Sequence, residues 1–418
     1  MTSFSWLDYD EDETRKAREL LAALDSESVD ALGLGSIRDG FANLMFPGTS
    51  TIQTRVRYFL LVPYAALLVA QRGPRDARQF DNWFRQAEWD TMDALKKMAK
   101  RRDGVIGFDA GHNTQRLPSE VYWNGMALWG VVRPRADGAE AGSLSEYRAW
   151  VLNRRHTRHQ GPDVAVADVP YFDELPSMPE QFPGDALEIL PTKREAEYLL
   201  ERMQRTSVTV NRITGETSTA LLAAMAADLR LAQVGSIFEL DPALLDPRTA
   251  VLLRRAVGFS TVAQGARLLY NRMLCEDAAS SGLGEFPNTE ARLDGLEADW
   301  IVNMLAVQGD MEQWRSELTS LFAGLRRTGV RISGGSERFV RAWSDLAIAD
   351  PEQALKTDAA RVAIRAREGA IKRRGMARLR DRAALERWRG ALFGQNYMDF
   401  RFGIARRHIS DCHKGLGE

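Results

Sequence analysis

The sequence predicts a mainly α protein with minor β: a helical N-terminal domain over residues 1–135, a proline-rich connection over 136–191 and a helical C-terminal bundle over 192–418. Three observations carry this. Apolar residues recur at three- and four-residue spacing through both ends of the chain. Seven of the fifteen prolines fall between Pro134 and Pro191, where no single packed helix can run. Beyond Thr192 the chain is rich in Ala, Leu, Arg and Glu, with Gly or Pro separating the helical stretches.

Taken in order, Leu20, Leu21 and Leu24 open the helical spacing, and Phe41, Leu44 and Met45 continue it to a stop at Pro47-Gly48. The apolar run from Tyr58 to Ala70 is about half of the roughly 20 residues a membrane span needs and contains Pro63, so it reads as a buried core helix. Phe80 to Met98 is an amphipathic helix ending in Lys96, Lys97 and Lys100, which suit the negative end of its dipole. A further helix starts at Pro118-Ser119 and carries Trp123, Met126 and Trp129 on one face before Gly130 ends it. Short strands at Val105-Ile106 and Val131-Val132 around that helix are compatible with a winged-helix-like module in the N-terminal domain. Leu144 to Leu152 is helical and runs into the basic cluster Arg154, Arg155, His156, Arg158 and His159. Thr192 with Glu195 three positions on is a helix start. Helices then follow over Ala220–Leu231, Pro247–Cys275, Thr289–Val307, Met311–Arg327 and Pro351–Leu392. No fixed repeat period is present, which favours a bundle over a solenoid.

Composition excludes several classes of function. With 56 Lys+Arg against 57 Asp+Glu and two cysteines, the chain has a formal charge of -1 and can form neither a disulfide framework nor a four-thiolate metal site. The acidic start, Asp8 to Glu13, lacks the basic and apolar regions of a signal peptide, so a cytoplasmic protein without a membrane partner is expected. Gly33 to Gly40 has no Lys-Ser/Thr after its glycines and is not a phosphate-binding P-loop. His156 with His159, and His408 with Cys412 and His413, each lack the further ligands a metal needs. Cys275 has the setting of a core thiol, and Asp109 and His112 lie in a stretch that turn formation explains. No catalytic residue, cofactor or metal is assigned on these grounds.

The charge distribution is more informative. Residues 361–390 hold eleven basic residues against Glu368, Asp381 and Glu386, a local balance of +8 that leaves -9 for the rest of the chain. Such a stripe calls for something negative opposite it, either the phosphates of a nucleic acid or an acidic face of this chain or of a partner. The candidate nucleic-acid contacts are Arg365, Lys372, Arg373, Arg374, Arg378, Arg380 and Arg387, with Arg154 and Arg155 of the earlier cluster. Arg55 and Arg57 join them: after Pro47-Gly48, a new helix start beside Arg38, Arg55 and Arg57 suits an anion, or these arginines pair with Asp8, Asp10 or Asp39.

The run from Gly35 to Phe59, with Phe46-Pro47-Gly48-Thr49-Ser50-Thr51 and Arg55-Val-Arg57-Tyr58-Phe59 at its heart, resembles the bacterial domain-of-unknown-function family number 6361. Phe4-Ser-Trp6-Leu7-Asp8-Tyr9, the segment Val121 to Gly130, and Phe400-Arg-Phe402 through Asp411 and Leu416 agree with it, so the likeness runs from end to end. Phe400 and Phe402 stand where the family pattern has a tryptophan. The resemblance implies a setting in anti-phage gene clusters, beside helicases, phospholipase-D-like nucleases and DNA methyltransferases. The expected role is a non-catalytic accessory subunit that binds nucleic acid, DNA in the first instance, and a defence protein such as a helicase or phospholipase-D-like nuclease. The alternatives are a nuclease-type enzyme with a site assembled from distant residues, and an adaptor that recruits a helicase or nuclease without touching DNA.

Overall fold

Helix starts are set by local capping chemistry that the sequence announces. In the computed structural model, which describes residues 30–100, 103–133, 142–159 (backbone alone for 155–159), 170–373 and 375–417, α1 (Gly35–Met45) leads to α2 (Tyr58–Arg72) and α3 (Ala77–Met98). Then come α4 (Pro118–Leu128), α5 (Leu144–His159) and α6 (Lys193–Gln204). Asp76 caps α3 through the Gln79 amide, and α6 opens on the capping box of Thr192 and Glu195. Next are α7 (Leu221–Ala227), α8 (Leu229–Gln233) and α9 (Pro247–Ser280). They are followed by α10 (Pro287–Ala306), α11 (Gln308–Ser316), α12 (Leu318–Arg327) and α13 (Gly334–Ala349). The last are α14 (Pro351–Ala354), α15 (Asp358–Ile371), α16 (Arg382–Glu386) and α17 (Phe402–Leu416). A hairpin of β1 (Ser207–Asn211) and β2 (Glu216–Thr219) is the sheet of the described residues. The fold is mainly α with minor β.

Several expected elements take a different form. Val105-Ile106 is a turn, because Gly104 and Gly107 on either side both adopt positive φ. Val132 forms only an isolated bridge with Phe172, so the wing of a winged-helix-like module is not built from these segments. The expected helix over Ala220–Leu231 breaks at Asp228, whose extended backbone and carboxylate cap α8. The expected Pro351–Leu392 helix is three short ones. Its interior stops at Ile371, Gly375 turns the chain with φ 81°, and buried Glu368 accepts the amides of Arg378 and Leu379 at 2.9 Å each. The hairpin was visible in the alternation of Val208, Val210 and the Thr214-Gly215 turn, yet helix-period reading passes over it.

The chain divides into two compact units, each discontinuous in sequence. One comprises Met1–Phe41, Asn211–Ile213 and Leu253–Met398; the other comprises Ala42–Val210, Thr214–Leu252 and Asp399–Glu418. In the first, α13 packs against α11, α14 and α15, and its core gathers Trp300, Trp343, Phe259 and Ile364. In the second, α2 packs on α3 and α4, and α17 on α6, α7 and α8, around Tyr58, Phe59, Tyr122 and Ile409. The run expected as a core helix is α2, buried from Tyr58 through Ala66 with Pro63 inside it. Among the described residues no helix is long and apolar enough to cross a membrane.

Candidate nucleic-acid interface

The structure sorts the arginines into those spent on their own chain and those presented to solvent. Arg361 and Arg365, on one side of α15, pair with Glu276 and Asp277 of α9, the Arg365 contact at 3.0 Å. Arg367 turns inward, where it donates to the Leu32 carbonyl at 2.8 Å and to Ser336 Oγ at 2.7 Å. Arg378 lies over the Phe393 ring, 4.5 Å from its centroid, with Nη1 3.5 Å from the Tyr270 hydroxyl. Lys372 is the residue that ends α15, and Arg374 falls outside the described residues.

Arg373, Arg380, Arg387 and Arg389 are exposed. Arg387 donates to the Gly375 carbonyl at 3.2 Å, and Arg380 lies over Gly369, where a side chain would collide with it. Among the described residues none of these four forms an ion pair, whereas Arg382 pairs with Glu386 at 3.1 Å within α16. All four lie in the turn-rich stretch that replaces the expected long helix.

The second unit holds the other candidates differently. Arg55 pairs with Asp411 at 2.6 Å and donates to the Asp103 carbonyl at 2.6 Å. Burial pushes the Asp411 carboxyl up while Arg55 pulls it down, as a half-compensated buried acid should behave. Arg57 is 3 % exposed and its guanidinium meets Glu195 at 2.9 Å, with a further bond to the Glu188 carbonyl. The carboxylates beside these two arginines are Asp411 and Glu195, 356 and 138 residues away in sequence, whereas Asp39 pairs with Arg38, and Asp8 and Asp10 lie outside the described residues. Arg154 stacks on Trp150 at 4.6 Å, and the Arg155 side chain is outside the described residues.

A model of the family of unknown function DUF6361 matches residues 1–154 and 199–415. The chain belongs to that family. No curated protein and no solved structure matches it. Parts of three segments that carry the likeness to DUF6361, residues 46–59, 121–130 and 402–411, meet in one cluster of the second unit, while Phe4 to Tyr9 lies outside the described residues. Phe59 stacks on Trp129 with ring centroids 3.8 Å apart, Trp129 Nε1 donates to the Pro47 carbonyl at 2.8 Å, and Phe46 touches Phe402. The Tyr122 hydroxyl accepts the amides of Thr54 and Arg55 at 2.8 and 3.0 Å. His408 is fully buried with its ring edge-on to Phe59 and Trp129, and burial drives its pKa down to about 3. In this DUF6361 member, then, the pattern Trp123, Met126 and Trp129 is a buried face of a packed core.

Reaction-like groups are few. His112 Nε2 lies 2.9 Å from Asp93 and its ring stacks on Trp89 at 4.6 Å, so the carboxylate that holds this histidine comes from α3. Cys275 and Cys412 are buried thiols, and burial raises Cys275 to about 11, which keeps it protonated and unreactive. Among the described residues no group of three or more His, Cys, Asp or Glu side chains is placed to hold a metal. Sequence reading missed Arg267, a half-buried cation of α9 whose spacing with the buried Ala263, Tyr270 and Leu274 was the available signal.

Proposed function

We propose that this protein is a non-catalytic accessory component of bacterial anti-phage defence that binds nucleic acid through its C-terminal arginines and works alongside a defence partner such as a helicase or a phospholipase-D-like nuclease. The observation that carries the binding reading is the exposed set Arg373, Arg380, Arg387 and Arg389, crowded into one turn-rich segment without a carboxylate of the described residues against any of them. Exposed guanidiniums clustered along a segment raise the local potential and fork phosphate oxygens readily. The defence setting and the DNA preference rest on what the DUF6361 family implies.

The test is fluorescence polarisation with labelled duplex and single-stranded DNA and RNA, comparing the wild-type chain with a combined Arg373→Glu, Arg380→Glu and Arg387→Glu variant. Binding that falls steeply with salt and is lost in the variant for every sequence supports the reading. A wild-type chain that captures its partner but no nucleic acid makes it an adaptor, and metal-dependent cleavage by the chain alone makes it an enzyme; either result overturns the proposal.

A further inference from the structure

Arg267 is a half-buried cation whose Nε is enclosed while the rest of its guanidinium reaches a cleft. It belongs to the face of α9 that buries Ala263, Ala266, Tyr270 and Leu274. A guanidinium drawn out of water needs full hydrogen bonding and an opposite charge to repay its desolvation. Arg267 has neither. Its Nη2 donates to two neutral acceptors, Gln264 Oε1 at 2.5 Å and the Asn396 carbonyl at 2.8 Å, and its buried Nε has no acceptor among the described residues. Burial first and the charge of Arg38 second push the Arg267 pKa down to about 10.

Arg38 and Arg267 line the same cleft, together with Asp30, Tyr270, Phe393 and Met398, all within the first unit. Two carboxylates are close, and both are engaged. Asp30 Oδ1 accepts the amides of Leu34 and Gly35, the latter at 2.8 Å, as the cap of α1. Asp39 is paired with Arg38 Nε at 3.0 Å. What remains is a cleft lined by two guanidiniums, Arg38 paired with Asp39 and Arg267 without an ion pair among the described residues.

We propose that this cleft binds a terminal phosphate-type oxyanion, with Arg267 and Arg38 as its cationic contacts. A tetrahedral oxyanion offers acceptors in several directions at once, which suits donors arriving from two walls. Size sets the class of ligand. The cleft is narrow and partly open to solvent, with room between its walls for about one water-sized group, so one phosphate oxygen enters and whatever is attached to it faces outward. The site is separate from the exposed arginines and does not depend on their binding nucleic acid.

The experiment is thermal unfolding and calorimetric titration of the full chain with inorganic phosphate, against chloride at matched ionic strength. Phosphate should raise the wild-type melting temperature, and Arg267→Gln should remove that rise and weaken phosphate affinity by roughly tenfold or more, as loss of a charge-assisted bond requires. Arg38→Gln, at a partly exposed side chain of the same cleft, should weaken it similarly. Any stabilisation that survives in Arg267→Gln is the general salting effect of phosphate. Oligonucleotides with and without a 5′-phosphate then separate sources: preference for the phosphorylated end assigns a nucleic-acid terminus, and indifference with an intact phosphate response assigns the free ion. The variant of the three exposed arginines should keep the phosphate response even where it loses DNA. A wild-type chain that gains nothing over chloride, or two cleft variants that respond as the wild type does, overturns the proposal.

Discussion

His408 shows how one buried side chain can set a protein's response to acid. Its two ring nitrogens have no partner among the described residues, and Phe59 and Trp129 offer only ring edges. Protonation in place is opposed by burial and by the charges of Arg407 and Arg55, so the folded-state pKa sits at about 3 against an ordinary value of 6.5. The unfolded chain therefore takes up the proton first. Stability from this group is fully present above pH 6.5 and is lost as pH falls from 6.5 towards 3. Between pH 7 and pH 5 that loss is about 2 kcal/mol. His408→Phe should erase it: denaturant unfolding at both pH values should show a smaller acid penalty in the variant, and equal penalties would refute the assignment. Arg57 makes the opposite case, a buried charge that is answered. Removing it as Arg57→Met strands Glu195 in the core and should cost about 3–5 kcal/mol of unfolding free energy. Because Arg57 is enclosed, nucleic-acid affinity of the folded fraction should not change. Neither pairing was legible in the sequence, since nothing local in Arg55-Val-Arg57 points to Asp411 or Glu195.

Elements were legible where local chemistry decides them and illegible where a distant contact does. The caps of α3 and α6 were readable because Asp76, Thr192 and Glu195 act within their own first turn. The break after α15 was not: it depends on Glu368 capturing two amides that lie ten and eleven residues ahead of it, and on Tyr270 donating to the same carboxylate at 2.7 Å. The loop between α1 and α2 shows both kinds of control. Pro47-Gly48 was recognisable as a helix stop, but the reason only Gly serves at 48 is tertiary. Gly48 has φ 79°, and a Cβ there would strike the Trp129 indole, while a Cβ on Gly125 would come within 2.9 Å of Phe59. Gly48→Ala therefore combines a strained backbone with overpacking of the aromatic stack and should lower stability by about 2–4 kcal/mol. The near-ultraviolet signal of Trp129 and the chemical denaturation midpoint should move together. A variant with unchanged midpoint would mean that the loop is free to yield.

For the whole molecule the deciding quantity is how much of the basic surplus is left after internal pairing. The +8 of residues 361–390 was readable directly, yet the count of guanidiniums available to a ligand was not. Glu276 and Asp277, which take Arg361 and Arg365, lie 85 and 88 residues earlier, and Arg367 and Arg378 are consumed by backbone and ring contacts. Four exposed arginines remain from the eleven basic positions as those for which the described residues offer no ion pair. With the chain as a whole at -1, no global attraction to DNA assists them, so binding must come from these few contacts and must be correspondingly modest and salt-dependent. Each phosphate neutralised on duplex DNA contributes a slope of about -0.9 in log K against log salt. Four contacts give a slope of roughly -3 to -4, and replacing Arg373, Arg380 and Arg387 by Glu should bring it to about -1 or abolish binding, without altering the ranking of different sequences. A titration from about 50 to 200 mM salt reads this directly. A slope near -5 would instead require the two arginines now paired with Glu276 and Asp277 to leave their carboxylates. In that event Glu276→Gln and Asp277→Asn, which free those arginines in advance, should tighten DNA binding.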